Sequence, residues 1–307
     1  MSQLLRIILA IGLMFFLPAS ASAIDLGDAA DFALLAMPDG SDEPDVHLFS
    51  SARVVGDVGI GEDGTYRVNA GAQVDGDALL ETGVATFISG SADPGTIFLN
   101  SDLSQAILDA IQASADADAL LATQTFGTIN TSTTWTRTTA LNVIDVDTID
   151  LGAFDVLTLS GNLSDFFIVN VATDFDMSGS SLIAAAGGLN PSHILFNFPT
   201  AGSFLSMTAV STGIGTFLAP LRDARFDGNL VTGAVIANDI RIGSSGRLVH
   251  HPFGSEEPPP EPPPPLPPPI PEPASSLLLG LGLLGAGRYA RRVSSQSSTK
   301  LKINTSL

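Results

Sequence analysis

Cysteine is missing from this chain of 307 residues, which excludes disulfides, thiol catalysis and cysteine-bound metals. Lysine occurs only as Lys300 and Lys302, both close to the C-terminus. No apolar run reaches the roughly 20 residues that a membrane-spanning helix needs. The stability of the folded chain must therefore come from buried apolar side chains and backbone hydrogen bonds.

Basic residues are also scarce in the body of the chain. Between Ile24 and Gly254 there are 28 aspartate and glutamate residues against 7 arginines and no lysine, a net charge of −21. A surface of this sign repels nucleic acids and anionic lipids, so no nucleic-acid partner is expected. Strong acidity without lysine is compatible with a salty habitat or with divalent cations that screen the surface.

The N-terminus has the three parts of a secretory signal peptide. Arg6 supplies a positive charge, an eleven-residue apolar segment follows it, and Ala21 and Ala23 form a small-x-small cleavage site. We therefore expect signal peptidase to remove residues 1–23 and to leave Ile24 as the first residue of the exported chain.

A proline-rich stretch, residues 255–270, follows the body of the chain, which comprises residues 24–254. The run from Pro258 to Pro269 favours the extended polyproline II conformation, at about 3.1 Å per residue. Its reach is on the order of 40 Å, so we expect a stalk that holds the body away from a membrane.

The residues after the stalk are arranged like a bacterial sorting tag. A Pro-Glu-Pro motif is followed by an apolar segment from Ser275 to Gly287 and then by an arginine cluster. This order resembles the PEP-CTERM signal, and the residues that carry the resemblance are Pro271, Glu272, Pro273, Ala274, Arg288, Arg291 and Arg292. The signal then occupies residues 271–292, and residues 293–307 form a basic and polar tail that is longer than such tags usually have.

The PEP-CTERM resemblance implies a route and a processing partner. Proteins with this signal are exported by Gram-negative bacteria, and an exosortase in the inner membrane removes the tag. The apolar segment is short and rich in glycine, so the resemblance implies transient insertion of this C-terminal helix into the inner membrane. The alternative is an ordinary single-span tail anchor. In both cases the body is secreted or displayed at the cell surface.

The body is expected to fold as one mainly β domain. Short β-branched and aliphatic runs alternate with turn residues. A segment at Val54 is repeated 20 residues later at Val74, and a Gly-Asp pair recurs at the same offset. A fixed period with the same turn residues predicts a β-solenoid of the parallel β-helix type. An antiparallel β-sandwich, which needs no fixed period, is the alternative.

One segment has a helical pattern instead. Asn100 or Ser101 is a suitable N-cap, and small or apolar residues continue to Leu121. The residues that share one face at helical spacing are Leu103, Ile107, Leu108 and Ile111. We predict one long flanking α-helix of about 20 residues that covers apolar surface along the solenoid.

Four segments of the body resemble the choice-of-anchor A family. They are an apolar strand ending in Phe-Asn-Phe-Pro, a Phe-Leu-Ala-Pro segment, an Asn-Leu-Val-Thr-Gly-Ala segment and a terminal His-His-Pro-Phe, at residues 192–199, 215–220, 226–237 and 250–253. Phe196 stands where the family often has tryptophan. The resemblance implies an exported, adhesin-like β-solenoid related to bacterial ice-binding domains. It implies no site residues.

The sequence contains no recognisable catalytic set. Neither a G-x-S-x-G elbow nor an H-E-x-x-H helix occurs, and the only histidines are His47, His193, His250 and His251. Asp57, Asp77 and Asp227 neighbour glycines, so we interpret them as turn residues whose carboxylates accept backbone hydrogen bonds. We predict that the protein is not an enzyme and assign no catalytic or cofactor-binding residue. A polysaccharide-acting β-helix enzyme is an alternative.

Two acidic clusters offer the oxygen ligands that Ca²⁺ prefers. They are Asp145, Asp147 and Asp150, and Asp42, Glu43 and Asp45. Neither has EF-hand spacing, because the glycine and the distal glutamate are missing. A solvated acidic edge that discourages strand pairing is the favoured interpretation, so no metal ligand is assigned and Ca²⁺ binding is the alternative.

A threonine-rich segment, residues 131–139, bears on a different function. An ice-binding face needs threonine or small residues at regular spacing on successive coils, whereas this dense segment occurs once. We expect Trp135 and Arg137 to interrupt any flat face there. The sequence therefore favours an adhesin-like or structural protein of the cell surface or extracellular matrix, with extracellular polysaccharide as its partner and ice binding as the alternative.

Overall fold

A computed structural model describes residues 24–40, 42–227 and 230–255. These residues form 22 strands that belong to one sheet, and successive coils pair in parallel. The predicted β-solenoid with one long flanking helix is confirmed. The antiparallel sandwich is wrong, because the strands stack on equivalent strands of the next coil.

The strands fall into two groups along the chain. Nine precede the α-helix: β1 (Phe32–Ala36), β2 (Asp45–Leu48), β3 (Arg53–Val55), β4 (Asp57–Ile60), β5 (Thr65–Val68), β6 (Gln73–Asp75), β7 (Asp77–Leu80), β8 (Ala85–Ile88) and β9 (Thr96–Leu99). The α-helix is α1 (Ser104–Asp118), and short 3-10 helices lie at Gly27–Asp31 and Pro191–His193.

Thirteen strands follow α1. They are β10 (Gln124–Ile129), β11 (Thr133–Thr136), β12 (Leu141–Leu151), β13 (Val156–Ser160), β14 (Phe166–Met177), β15 (Leu182–Ala186), β16 (Ile194–Asn197), β17 (Leu205–Met207), β18 (Thr212–Ala219), β19 (Ala224–Phe226), β20 (Leu230–Ala237), β21 (Ile240–Ile242) and β22 (Arg247–His250). The longest of them, β12 and β14, contain register irregularities and contribute to two faces of the solenoid.

The coils do not stack in chain order. Leu34 on β1 pairs with Val58 on β4 and with Val235 on β20, so the first coil of the chain lies on the last. The coils that follow α1 begin with β10 and β11 at the opposite end of the stack from β8 and β9. The helix therefore returns the chain from one end of the solenoid to the other.

The 20-residue period is confirmed where it was predicted, since Val54 pairs with Val74. In the later coils the offset between paired strands ranges from 16 residues, between β19 and β21, to 30 residues, between β14 and β17. Corner loops of different length and the register shift between β12 and β14 account for this range.

Glycines stack at one corner of the coils. Gly233 has a φ of +147° and pairs with Gly215 of the neighbouring coil. A Cβ on Gly233 would overlap the carbonyl oxygen of Gly215, and a Cβ on Gly76 would overlap that of Gly56 in the same way. The close approach of two backbones at this corner therefore requires glycine.

Inward-facing aliphatic and aromatic side chains fill the coils. Phe196 and Phe217 stack with ring centroids 5.2 Å apart, and the Phe175 ring meets both of them at steep angles. Trp135 is buried near one end of the stack and lies on the ring of Phe126, with centroids 5.4 Å apart. One apolar core thus runs along the inside of the solenoid.

The helix α1 is shorter than predicted, with 15 residues, and only part of the predicted face is packed: Leu103 is buried and Ile107 is partly buried against the same cluster. Leu108 and Ile111 were expected on the packed face, but they are 59% and 46% exposed. The buried residues are small ones: Ala106, Ala110, Ala113, Ser114 and Ala117. Small side chains let the helix backbone approach the sheet closely, where Leu195, Leu218 and Ile236 belong to the same apolar cluster.

The start of α1 also differs from the prediction. Neither Asn100 nor Ser101 provides an N-cap. Instead, the Asp102 carboxylate accepts the Ser104 N–H at 3.1 Å, and the Glu81 carboxylate accepts the Leu103 N–H at 2.9 Å. Because Glu81 follows β7, the start of the helix is tied directly to the solenoid.

A buried polar network fixes the C-terminal half of α1 on the sheet. Ser114 Oγ donates to Asn197 Oδ1 at 2.7 Å, and Asn197 Nδ2 donates to Asn170 Oδ1 at 2.9 Å. Asn170 Nδ2 in turn donates to the carbonyl of Ala117 at 3.1 Å. These partners satisfy polar groups that would otherwise be costly to bury.

Candidate functional surface

The coils present three outward faces, and α1 covers one of them. We call the second the threonine face; it contains β11, β13, β15, the first parts of β18 and β20, then β22, β3 and β6. We call the third the arginine face; it contains β17, β19, β21, β2, β5 and β8. Along each strand alternate residues point outward, so each face displays columns of residues in register.

The threonine face begins with hydroxyl residues in register. Thr134 lies beside Thr158, and Thr136 lies beside Ser160, across β11 and β13. Alanines take these positions on β15, and farther along the face the outward residues are larger, such as the exposed Arg247. The hydroxyl array is therefore limited to the coils at one end.

The expectation that Trp135 interrupts this face is wrong. Its side chain points into the core and is 1% exposed, because it alternates with the outward Thr134 and Thr136. Arg137 lies beyond the end of β11 and pairs with the buried carboxylate of Asp165 at 2.7 Å. The threonine segment thus displays a flatter surface than its sequence indicated.

The arginine face carries a column of basic and aromatic residues. Arg225 lies beside Arg241, Arg241 beside His47, His47 beside Arg67, and Arg67 beside Phe87. Neighbouring strands are about 4.8 Å apart, so Arg225 and Arg67 are separated by roughly 14 Å. We call Arg225, Arg241, His47 and Arg67 the arginine ladder.

The three arginines of the ladder differ in their acidic neighbours. Arg225 pairs with Asp227 at 2.6 Å, and Arg241 lies 3.6 Å from Asp239. Arg67 extends over the Phe87 ring, 5.1 Å from its centroid, and forms no ion pair within the described residues. The Arg225 and Arg241 side chains stay 53% and 52% exposed, so their pairs leave donors free for a ligand.

His47 is held at the centre of the ladder. Its Nε2 lies 3.0 Å from Asn69 Nδ2, and its ring stacks on Phe49 with centroids 3.9 Å apart. Burial lowers the pKa of His47, and the positive charges of Arg67 and Arg241 lower it further. At neutral pH the charge of the ladder therefore comes from its arginines.

A groove of about 520 Å³ opens beside the ladder. It is lined by Phe49, Arg225, Asp227, Arg241, Gly243 and Ser244. Guanidinium groups recognise carboxylates through paired hydrogen bonds, and an aromatic ring adds a flat apolar surface. The groove thus combines groups suited to a molecule with both anionic and apolar parts.

The acidic clusters singled out in the sequence lie in several places. Asp145 is half-buried and accepts a hydrogen bond from Asn170 at 3.2 Å, whereas Asp147 and Asp150 are exposed. Asp42 and Glu43 are exposed, and Asp45 opens β2. Among the residues that the structure describes, no three histidine or acidic side chains come together in a way that could hold a metal ion.

A separate acidic site lies at the edge of the arginine face. Asp239 Oδ1 accepts the backbone N–H of Asp45 at 3.0 Å. Burial raises the pKa of Asp239 to about 6, and the nearby Asp223 carboxylate contributes in the same direction. Arg241 opposes this shift without abolishing it.

The four histidines occupy different environments. His193 is buried and stacks on Phe166, with ring centroids 4.1 Å apart. His250 Nε2 donates to the Ala30 carbonyl at 3.0 Å, and burial lowers its pKa. Only His47 lies in the arginine ladder. That no histidine belongs to a catalytic set stays a prediction.

The predicted processing residues lie outside the described residues. This applies to Ala21 and Ala23 at the signal cleavage site, to the Pro271–Ala274 motif and to the arginine cluster. The C-terminal apolar segment lies outside them as well. In the part of the chain that is described, no helix is both long and apolar enough to cross a membrane.

Sequence reasoning missed the arginine ladder altogether. Arg67 and Arg225 lie 158 residues apart in the chain, and Arg225 stands between Asp223 and Asp227 in the sequence. They share a column because the first coil stacks on the last one. The sequence signal that could have indicated these outward arginines is the alternation of basic and apolar residues. Arg67, Arg225 and Arg241 each stand between two apolar residues of a strand.

Two family models match the chain. Residues 31–251 match the family described as "Putative Ice-binding-like adhesive domain", and residues 269–292 match the PEP-CTERM protein-sorting motif. The predicted relation to adhesive and ice-binding solenoids and the predicted sorting signal are thereby confirmed. A PEP-CTERM motif implies export and sorting to the surface of a Gram-negative bacterium. No curated protein matches the chain.

Several solved structures share the fold. The ice-binding protein of the Antarctic ascomycete Antarctomyces psychrotrophicus is 21% identical, with a TM-score of 0.53, and the match covers 74% of this chain and 98% of that one. A glycosylated ice-binding protein from an Arctic yeast is 16% identical, with a TM-score of 0.53 and coverages of 78% and 97%.

A solved structure from a bacterium shares the fold as well. The ice-binding protein of an Antarctic Flavobacteriaceae bacterium is 19% identical, with a TM-score of 0.54, and the match covers 76% of this chain and 49% of that one. At these identities the likeness establishes the solenoid architecture. Since a single family model covers residues 31–251, the chain belongs to the ice-binding-like adhesive domain family.

Proposed function

We propose that this protein is a non-enzymatic adhesin of a Gram-negative cell surface or extracellular matrix, and that it binds extracellular polysaccharide. The observation that carries the proposal is the pair of faces that α1 leaves uncovered on an adhesive-family solenoid. The arginine face in particular displays exposed guanidinium groups and aromatic rings in a regular column. A long column suits an extended polymer better than a compact small molecule.

The proposed export route includes two proteolytic cleavages, one at each end of the chain. Signal peptidase removes residues 1–23 during export. The C-terminal apolar segment then holds the chain transiently in the inner membrane until an exosortase acts at the Pro271–Ala274 motif. The proline-rich stalk, residues 255–270, gives the domain reach during this stage.

The geometry of the arginine face supports binding over catalysis. A catalytic site needs a general base and a group that it serves within hydrogen-bond reach. His47, the histidine on this face, instead contacts Asn69 and Phe49 and lies between two guanidinium groups. These contacts hold the ring in place within a charged surface.

The test is direct binding of the purified full chain to a glycan array and to whole bacterial cells. Each binding experiment is run with Ca²⁺ and with a chelator, because the acidic surface keeps Ca²⁺ binding open as a proposal. We expect saturable binding to particular glycans. If no glycan and no cell surface retains the protein in either condition, the adhesin proposal is wrong.

Two further assays separate the competing functions. Incubation with acidic polysaccharides should leave their chain length unchanged, whereas cleavage at ordinary enzyme rates would show a polysaccharide-acting enzyme. Ice binding is the second candidate, favoured by the register of Thr134 with Thr158 and of Thr136 with Ser160. Shaping of ice crystals at micromolar protein would establish it.

A further inference from the structure

We infer that the arginine ladder binds a linear acidic polysaccharide, one whose sugar units carry carboxylate groups. The inference rests on the proposed function and names the ligand class and the residues that recognise it. The polymer would lie across the strands of the arginine face, with carboxylates at the guanidinium groups of Arg225, Arg241 and Arg67.

The distribution of positive charge supports this assignment. The body of the chain has 7 arginines against 28 acidic residues. Two of the arginines bind buried groups of the chain itself: Arg222 is 2% exposed and donates to the carbonyls of Ala172 and Thr200, and Arg137, 40% exposed, pairs with the buried Asp165. Three of the remaining five form the ladder. The column thus offers an anionic polymer three guanidinium groups in register on a surface that is otherwise acidic.

Spacing and screening limit the ligand to a polymer of moderate charge density. The ladder arginines span roughly 14 Å across four strands. At physiological salt the Debye length is about 8 Å, so carboxylates held at the ladder are partly shielded from the distant acidic surface. Duplex DNA carries one charge per about 1.7 Å and would be repelled far more strongly than a polymer with one carboxylate per sugar.

The aromatic residues add a second type of contact. Phe87 is 54% exposed at one end of the ladder, beneath the Arg67 guanidinium. Phe49 lines the groove beside Arg225 and Arg241. Flat apolar rings next to cationic donors match a sugar ring, which has apolar C–H faces and a carboxylate at its edge. An inorganic anion would use the arginines alone.

The experiment measures binding of the full chain to immobilised polygalacturonate, with its fully methyl-esterified form as the matched neutral polymer. Arg67→Gln, Arg225→Gln and Arg241→Gln remove one positive charge each and keep a polar side chain. Arg247→Gln is the control, because it removes the same charge from an exposed position on the threonine face. The circular dichroism spectrum and melting temperature verify that each exposed substitution leaves the fold intact.

We expect binding to polygalacturonate that weakens as salt rises and is absent with the ester. Each ladder substitution should weaken the affinity about tenfold, the effect of losing one charge-assisted contact, while Arg247→Gln stays within about twofold. Equal binding of the esterified polymer, stronger binding of duplex DNA, or equal effects of the ladder and control variants would each overturn the inference. Binding to other glycans without any effect of the ladder variants would overturn it and leave the adhesin proposal standing.

Discussion

The carboxylate of Asp57 accepts a hydrogen bond at 2.8 Å from the backbone N–H of Asp77, which occupies the same corner one coil further along the solenoid. The neighbouring Gly56 N–H donates to the carbonyl of Asp75 at 2.9 Å. The repeated Gly-Asp pair is therefore a junction between coils: Asp57 accepts a backbone hydrogen bond as predicted, but from the next coil and not from its own turn.

Removal of the Asp57 carboxylate should loosen this junction. Asp57→Ala leaves the partly buried Asp77 N–H without its acceptor, which we expect to lower the free energy of unfolding by about 1–2 kcal/mol. Asp57→Asn keeps an acceptor oxygen and should cost clearly less. Urea unfolding followed by circular dichroism measures both variants. Asp150→Ala, at an exposed position, controls for loss of a negative charge, and an equal effect there would contradict the prediction.

The Gly-Asp junction also shows why part of the fold could be predicted. Between Val54 and Ala78 the coil length is constant, so equal residues recur at equal spacing and the solenoid is visible in the sequence. Beyond α1 the corner loops vary in length, and no period survives. The sandwich therefore stayed open as an alternative until the parallel register between coils was known.

The helix and the ladder show what the sequence could not predict. Leu108 was assigned to the packed face of α1 because hydrophobicity normally marks burial, but close packing on the sheet selected alanine instead. The ladder depends on the stacking of β2 on β21, which joins residues separated by nearly the whole domain. Local pattern contains no information about such a junction.

The glycine corner gives a second prediction about stability. Gly233→Ala places a Cβ against the carbonyl oxygen of Gly215 at a positive φ, so we expect a loss of at least about 3 kcal/mol or failure to fold. Gly90 has no neighbouring atom within 4 Å of the corresponding Cβ position. Gly90→Ala should therefore change the melting temperature little. Similar losses in the two variants would show that backbone crowding does not govern this corner.

The packing of α1 can be tested by a pair of opposite substitutions. Ala110→Leu enlarges a fully buried residue at the interface between helix and sheet, and overpacking there should cost about 1–3 kcal/mol. Leu108→Ala removes a side chain that is 59% exposed and should cost less than about 0.5 kcal/mol. Chemical denaturation of both variants gives the comparison. A larger loss of unfolding free energy for Leu108→Ala than for Ala110→Leu would show that Leu108 lies on the packed face, as the sequence pattern indicated.

The sorting motif predicts a processing phenotype. Deletion of residues 271–274 from the full chain should prevent cleavage by the exosortase, so that a longer form accumulates in the inner membrane fraction. Immunoblotting of cell fractions with an antibody against the domain measures this. The control is a four-residue deletion within the stalk, residues 262–265, which shortens the spacer and leaves the motif in place. Normal release of the chain without residues 271–274 would argue against exosortase recognition there.

Asp239 predicts how stability depends on pH. Its pKa is raised from an ordinary value of 3.8 to about 6, chiefly by burial. Between these two values the folded protein keeps a proton that the unfolded chain releases, so stability falls as pH rises through this window. The penalty is complete above about pH 6 and absent below about pH 4.

Asp239→Asn removes this titration and retains an oxygen that can accept the Asp45 N–H, which the carboxylate accepts at 3.0 Å in the protein. We therefore expect the variant to be more stable than the parent at pH 8 by about 1 kcal/mol, a figure reduced for the partial solvent exposure of this site. The difference should shrink towards zero as the pH is lowered to 4. Urea unfolding of both proteins from pH 4 to pH 8 measures the difference between their free energies of unfolding. The contributions of the other carboxylates cancel in this difference, because both proteins contain them. A constant difference over this range would mean that Asp239 ionises normally in the folded protein and that its environment near Asp223 and Arg241 is more solvated than the contacts indicate.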